Sequence, residues 1–468
     1  MRLKSIFTNS FGILVSRITG LGRDVLMASA LGASVWSDMF FVAFKLPNLF
    51  RRIFAEGAFT QAFMPSFVAS KQKGVFATAI FLRFLLFLTL ASLLITLFPV
   101  PVTKLLAWGW NSEQIAQTAP LTAINFWYLD FIFIVTFIGT LLQYKEHFAT
   151  TAMSTALLNL SMIGALLFFM HDNPKTVAYA LSFSVLVGGV LQVITHLISL
   201  KHLNLQRILV GGWRYRNKKD ITEEKQKFNQ LFIPAVWGSS TAQINSFIDT
   251  MLATFLVSGS VSYLFYANRV FQLPLAIIAI ATTTALFPSI SKAVKNGRSK
   301  EAYLNLNNAF WLLAFALGIA TTGGILFAEP IVWLLFERGK FAQADTIETS
   351  YVLMMYLVGL LPFGLAKLFS LFLYASHRQA AAAKIATVSL VFNIIASLML
   401  IKPLGAMGLA LAGSIGGWVL FILTVREVGT DKFIRIIKTA KLLYWILWMS
   451  GSALLFYLAN LWLIEFIR

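Results

Sequence analysis

Cysteine is absent from this chain. No disulfide and no thiolate metal site can therefore form. Acidic residues are scarce as well, with 19 Asp and Glu against 38 Lys and Arg in 468 residues. The five histidines show neither an HExxH motif nor paired-ligand spacing, which argues against a zinc enzyme. Charge of either sign is thin at 12% of residues, and too little of it exists to cover a soluble fold of this size. What fills the chain instead is apolar. Hydrophobic residues make up 58%, and the mean hydropathy is +0.77. These values describe an integral membrane protein.

Thirteen apolar runs of membrane-spanning length are expected at 5–31, 36–67, 76–99, 117–142, 149–170, 176–200, 228–256, 261–290, 303–327, 346–374, 382–401, 406–426 and 441–466. The basic start at Arg2 and Lys4 leads into a first run interrupted by Arg17 and Arg23, so a retained span is expected rather than a cleavable signal peptide. Loops on alternate sides differ sharply in Lys and Arg. One side carries Lys71, Lys145, Arg207, Arg214 and Lys295; the other carries Lys104, Lys175 and Lys402. The basic side is expected to be cytoplasmic, with the N-terminus on it and the C-terminus on the periplasmic side. The net charge of +19 is then mostly topological, and no nucleic-acid partner is inferred from it.

The chain repeats itself. The segment from Gly32 to Pro47, through Asp38 and Lys45, is similar to that from Gly259 to Pro274, through Arg269 and Gln272, at the same spacing. Pro65-Ser66 leads to Gly74 as Pro288-Ser289 leads to Gly297, and Gly188-Gly189 has a counterpart in Gly416-Gly417. The expected fold is an all-α polytopic membrane protein of about 13 transmembrane helices. Two parallel six-helix repeats enclose a central cavity, and one C-terminal helix is added. The expected divisions are 1–200 for the first bundle, 201–227 for a basic cytoplasmic linker, 228–426 for the second bundle and 427–468 for an amphipathic segment and the extra helix. Parallel repeats of this kind are a transporter architecture with the substrate held near the membrane midplane.

Several spans carry charge at depth. Arg17, Arg23 and Asp24 lie in the first, Asp38, Lys45, Arg51, Arg52 and Glu56 in the second, and Arg269 in the eighth. A guanidinium at a helix centre costs roughly 2.5–3.5 kcal/mol to insert. The nearby acids are too few to neutralise the set. A cavity that takes an anion accounts for the excess, and arginine forks match phosphate oxygens. Asp38, Lys45 and Arg52 recur every seven residues, with Glu56 one turn further, so Asp24, Lys45, Arg52 and Glu56 are candidates for structural ion pairs. Arg83 and Lys367 are read as snorkelling. Asp249 and Asn393 are isolated polar groups and candidates for a coupling-ion site, against the alternative of helix–helix hydrogen bonds. The 43 Phe, 12 Trp and 12 Tyr are read mainly as lipid-facing surface and interfacial anchors.

The stretch Ser16-Arg17, Gly20, Arg23-Asp24 and then Asp38 through Lys45-Leu-Pro47, Arg51-Arg52, Glu56-Gly57 and Pro65 closely resembles the MurJ (MviN) family of lipid II flippases. Leu158-Asn159, Gly188-Gly189-Val-Leu-Gln192, Ser258-Gly-Ser-Val-Ser262, Tyr266-Ala-Asn-Arg269 and Phe336-Glu-Arg-Gly-Lys-Phe341 extend the likeness to about residue 430. The resemblance implies a flippase of the multidrug/oligosaccharidyl-lipid/polysaccharide exporter superfamily in the bacterial cytoplasmic (inner) membrane, not an enzyme. It implies that undecaprenyl-diphosphate-linked peptidoglycan precursor moves from the inner to the outer leaflet during cell-wall biogenesis. The family's cavity arginines fall on Arg17, Arg23, Arg51 and Arg269, and its cavity acid on Asp38. Two acids frequent in the family near the span-eight arginine are Asn268 and Gln272 here. The family usually has fourteen spans, the last two forming a lipid-tail groove, and this chain has room for one of them.

No metal and no cofactor are expected; a coupling ion or the membrane potential supplies the driving force. The expected partners are lipid II and membrane lipids, for a monomer that meets cell-wall synthesis proteins. Other readings make distinct demands. A flippase for another lipid-linked oligosaccharide would use the same diphosphate handle. A cation-coupled multidrug exporter on this fold would line its cavity with acids and aromatics. An intramembrane prenyl-diphosphate enzyme would need paired metal-binding acids or a nucleophile–base pair. A scaffold would have no reason to keep charge in the membrane.

Overall fold

The computed structural model describes residues 3–55, 57–216, 220–438 and 440–467. These residues form helices and no strand. In chain order the helices are α1 (Leu3–Leu31), α2 (Val35–Ala55), α3 (Ala58–Ala69), α4 (Lys73–Leu97), α5 (Pro99–Leu106), α6 (Ser112–Phe126), α7 (Tyr128–Tyr144), α8 (Ala149–Phe169), α9 (Pro174–His202), α10 (Gln206–Tyr215) and α11 (Thr222–Ala253). After them come α12 (Ser260–Pro274), a π-helical segment (Leu275–Ile280), α13 (Ala281–Lys295), α14 (Ser299–Leu326), α15 (Ala328–Phe336), α16 (Gln343–Leu357), α17 (Leu360–Ala375), α18 (Gln379–Val428), α19 (Thr430–Ile437) and α20 (Ala440–Ile467).

The thirteen apolar runs all fall on these helices. Nine helical stretches among the described residues are long and apolar enough to cross a membrane by length and composition. α1, α2 and α11 are not among the nine. Arg17, Arg23 and Asp24 lie on α1, Asp38, Lys45 and Arg51 on α2, Asp249 on α11 and Arg269 on α12. The two runs expected at 382–401 and 406–426 lie on α18, which breaks at Gly405 (φ 56°, ψ −133°) two residues after Pro403. A residue with a side chain would be strained at that φ. The run at 261–290 is interrupted by the π-helical segment that follows Pro274, where the missing amide disturbs the regular ladder.

Two compact units divide the chain, Met1–Phe255 and Leu256–Arg468. The expected start of the second bundle at 228 is not this division. It falls inside α11, which packs on α2, α3 and α4 of the first unit. The physical reason is an aromatic ladder. Phe228 stacks on Phe232 at 5.3 Å, meets Phe59 and Phe76 edge-on, and packs on Phe84 at 5.9 Å. Phe59, Phe63, Phe67, Phe76, Phe133, Phe137 and Phe228 are all fully buried. Much of the phenylalanine in this region is thus internal packing rather than the lipid-facing surface expected from composition. Each such pair adds about 0.5–1.5 kcal/mol beyond area burial.

The repeat is visible in each unit separately. Gly32 and Gly259 both have positive φ (63° and 95°) and stand just before α2 and α12. Ser161 donates to the Ser184 carbonyl at 2.8 Å between α8 and α9, beside Gly188. Ser389 donates to the Gly416 carbonyl at 2.7 Å between the two limbs of α18. A Cβ at Gly188 would meet Leu158, and one at Gly416 would meet Asn393. In the second unit α20 packs on α14, where Trp445 donates to the Ala314 carbonyl at 2.9 Å.

Candidate functional site

α1 positions two arginines differently. Arg17 is exposed and makes no hydrogen bond or ion pair among the described residues. Arg23 is only 7% exposed. Its Nη2 and Nε both donate to Asp24 Oδ1, at 2.6 and 3.0 Å. Its Nη1 donates to Asn159 Oδ1 on α8 at 3.1 Å. Asn159 Nδ2 in turn donates to the Ser16 carbonyl at 3.0 Å and to Thr19 Oγ1 at 3.2 Å. Arg23 is therefore held between α1 and α8 rather than presented. Breaking a buried pair of this kind by removing one partner costs about 3–5 kcal/mol.

α2 supplies the second set. Asp38 is 3% exposed and lies in the first turn of the helix, where a carboxylate favours the macrodipole. Lys45 Nζ donates to Ser246 Oγ on α11 at 2.9 Å. One turn along α11, Asn245 Nδ2 donates to Asp249 Oδ2 at 3.4 Å. The Lys45 ammonium lies within electrostatic range of the Asp249 carboxylate. Asp249, read from sequence as isolated, thus has a cation and an amide nearby. Arg51 is half-buried, and its Nε donates to Asn48 Oδ1 at 3.3 Å. Both Arg51 and Arg23 lie within electrostatic range of the buried Tyr128 hydroxyl. The side chain of Arg52 and all of Glu56 lie outside the described residues, as do Lys218 and Lys219 of the linker.

In the second unit, Arg269 on α12 is half-buried, and its guanidinium lies over the Phe265 ring at 4.9 Å. The two positions that resemblance marks as acidic are neutral here, and they bond each other: Gln272 Nε2 donates to Asn268 Oδ1. Asn393 is 3% exposed and accepts from Ser397 Oγ at 3.4 Å, an ordinary helix-packing arrangement. Arg83, read as snorkelling, donates to Asn229 Oδ1 on α11 of the first unit at 3.1 Å. Lys367 on α17 is exposed. Among the described residues no group of three or more His, Asp or Glu is placed to hold a metal.

Sequence reasoning found the charged residues but missed the partners Asn159 and Ser246. They lie 136 and 201 residues away from the groups they bind, and no local pattern links them. The Leu158-Asn159 motif was the one signal that pointed at either.

Multiple apolar helices with arginines held at depth have the build of a multi-pass membrane transporter. Solved structures agree on the fold. One described as "Lipid II flippase MurJ, inward closed conformation" superposes with a TM-score of 0.78 at 24% identity, covering 98% of this chain and 99% of that one. An inward-facing multidrug resistance MATE family transporter of the MOP superfamily superposes at 0.61 with 16% identity, covering 94% and 96%. The Lipid II flippase MurJ family matches residues 27–467. A Helicobacter pylori protein named "Probable lipid II flippase MurJ" is 49% identical over 445 residues, covering 93% of this chain and 96% of its own length. The chain belongs to the MurJ family.

Proposed function

We propose that this protein flips lipid II, the undecaprenyl-diphosphate-linked peptidoglycan precursor, from the inner to the outer leaflet of the bacterial cytoplasmic membrane. The observation that carries the reading is the 49% identity to the Helicobacter pylori relative along nearly its whole length. The protein is a transporter in this reading, with lipid II as cargo and no chemical step of its own.

The diphosphate is the handle. Arg17, exposed on α1, and Arg51, half-buried on α2, are the first unit's cargo-facing cations, and Arg269 is the second unit's. Guanidinium forks bind phosphate oxygens in pairs, which lysine cannot do. Arg23 serves beside them by fixing α1 against α8. Transport proceeds by alternating access, with each bundle moving as a body and the prenyl tail remaining in lipid. The N-terminus is cytoplasmic in this reading, and an inside-negative potential assists outward movement of an anion by about 2.3 kcal/mol per charge per 100 mV. A cation-coupled drug exporter has no use for this arginine set, and the neutral Asn268–Gln272 pair adds no acid to it.

The test is single substitution in cells that depend on this protein. Arg17→Ala, Arg51→Ala and Arg269→Ala should each fail to support growth while the protein remains in the membrane at wild-type level. Growth with all three would remove the diphosphate-handle reading.

A further inference from the structure

The sixth and the twelfth apolar runs are each followed by a short helix, α10 in the first unit and α19 in the second. α10 packs on α4, the helix of the third run. The approach is close to the backbone: the Thr78 hydroxyl donates to the Leu209 carbonyl at 3.2 Å, and a Cβ on Gly212 would run into the Gly74 carbonyl. Gly74 and Thr78 belong to the first turns of α4, and α9 has just ended. α10 therefore lies where two helices of membrane-crossing length reach the bilayer surface. Leu205 and Gly212 are buried on the packed side. Arg207, Val210 and Arg214 follow one another at i, i+3 and i+7 on the exposed side, with Trp213 and Tyr215 flanking them. The Arg216 guanidinium lies 3.8 Å from the Trp213 ring centroid. Between Lys201 and Arg216 there is no Asp or Glu.

α19 repeats this arrangement in the second unit. It follows α18 and reaches α14, the helix of the ninth run. Phe433 packs on Phe310, Phe369 and Phe421, and the Tyr303 hydroxyl, near the start of α14, donates to the Lys432 carbonyl at 3.5 Å. Lys432, Ile434, Arg435 and Lys438 remain exposed, and Asp431 is the one acid of the helix.

Val210 and Trp213 are 67% and 54% exposed. Water penalises such a face, whereas a helix lying in the headgroup region buries it. Aromatic rings and the stems of arginine side chains settle at that level, with the charged heads turned outward. Neutral headgroups leave the positive field of Arg207, Arg214 and Arg216 unanswered. A lipid phosphate answers it through charge-assisted hydrogen bonds while its chains cover Val210 and Trp213. A nucleic acid would bring phosphate but nothing apolar. We propose that α10 and α19 are matching docking surfaces for acidic phospholipids, one on each unit. The assignment rests on the two helices and does not depend on what the protein transports.

The chain has no cysteine, so a single introduced thiol can be labelled without background. The test attaches a fluorophore to Val210→Cys or Ile434→Cys of the purified full chain. The labelled protein is reconstituted in phosphatidylcholine vesicles that contain brominated phosphatidylglycerol or brominated phosphatidylcholine at equal mole fraction. The phosphatidylglycerol should quench both labels several-fold more, since a basic residue near an acidic lipid surface is worth about fivefold in local concentration. High salt should shrink the excess. Arg207→Gln/Arg214→Gln/Arg216→Gln should abolish it at Val210→Cys and leave it at Ile434→Cys. A label at Leu97→Cys, the far end of α4, gives the background preference. Equal quenching by the two lipids at Val210→Cys, an excess no larger than at Leu97→Cys, or an excess untouched by the triple substitution overturns the proposal. Quenching by neither lipid assigns the face to a soluble protein partner and overturns it as well.

Discussion

Arg23 Nη1 donates to Asn159 Oδ1 at 3.1 Å, joining α1 to α8 across 136 residues. The same guanidinium is neutralised by its chain neighbour Asp24 at 2.6 Å, with both side chains almost wholly out of solvent. A pair closed on both sides in this way fixes geometry before it binds anything.

Asp24→Asn should accordingly destabilise the protein by about 3–5 kcal/mol, because it strands a buried guanidinium. Asn159→Ala should cost about 1–3 kcal/mol through its lost hydrogen bonds. A double Arg23→Met/Asp24→Leu variant should recover much of the stability that Asp24→Asn loses. Unfolding in detergent micelles measures all three, and a double variant no better than Asp24→Asn would refute the buttress role.

Lys45 and Asp249 should be energetically coupled. Lys45→Met alone leaves the carboxylate short of its cation, so it should be more damaging than the same change made in an Asp249→Asn background. A double-mutant cycle is expected to give about 0.5–3 kcal/mol of favourable coupling. Additive effects would show that the Lys45–Ser246 hydrogen bond acts by itself.

The start of α11 should respond to acid. The Thr222 hydroxyl and amide donate to Asp220 Oδ1 at 2.6 and 2.9 Å, and these bonds hold the carboxyl below its ordinary value of 3.8. A depressed folded-state value means the contribution is present above the ordinary value and is lost as pH falls through the folded one. Titration followed by carboxyl NMR should show a return toward 3.8 in Thr222→Val; an unchanged titration would contradict this account.

Gly188→Val and Gly416→Val should each separate a helix pair that the repeat holds close, at about 1–3 kcal/mol. The added side chain would run into Leu158 in one unit and Asn393 in the other. Wild-type melting temperatures for both would refute the close-approach role.

Much of the helical layout was legible because apolar length is a local property. The break between the last two runs of the second half was legible too, since Pro403 and Gly405 mark it. The packing partners of α11 were not. Nothing in the run 228–256 says that Phe228 and Phe232 stack into the ladder built by Phe59, Phe76 and Phe84. Composition counts a phenylalanine the same way whether it faces lipid or a neighbour. The charged residues were likewise easy to find, because charge in an apolar run is conspicuous. Their division into presented and internally held groups was not, because Arg17 and Arg23 look alike in sequence and differ through Asp24 and Asn159.

In the proposed function this chain carries lipid II across the membrane by its cargo-facing arginines. Leaflet-specific labelling of lipid II after depletion of the protein tests it most directly, in cells without another lipid II flippase. Outer-leaflet lipid II should fall on depletion, return with the wild-type chain, and stay low with Arg17→Ala at equal membrane abundance. Unchanged outer-leaflet lipid II after depletion, or full rescue by Arg17→Ala, would contradict the account.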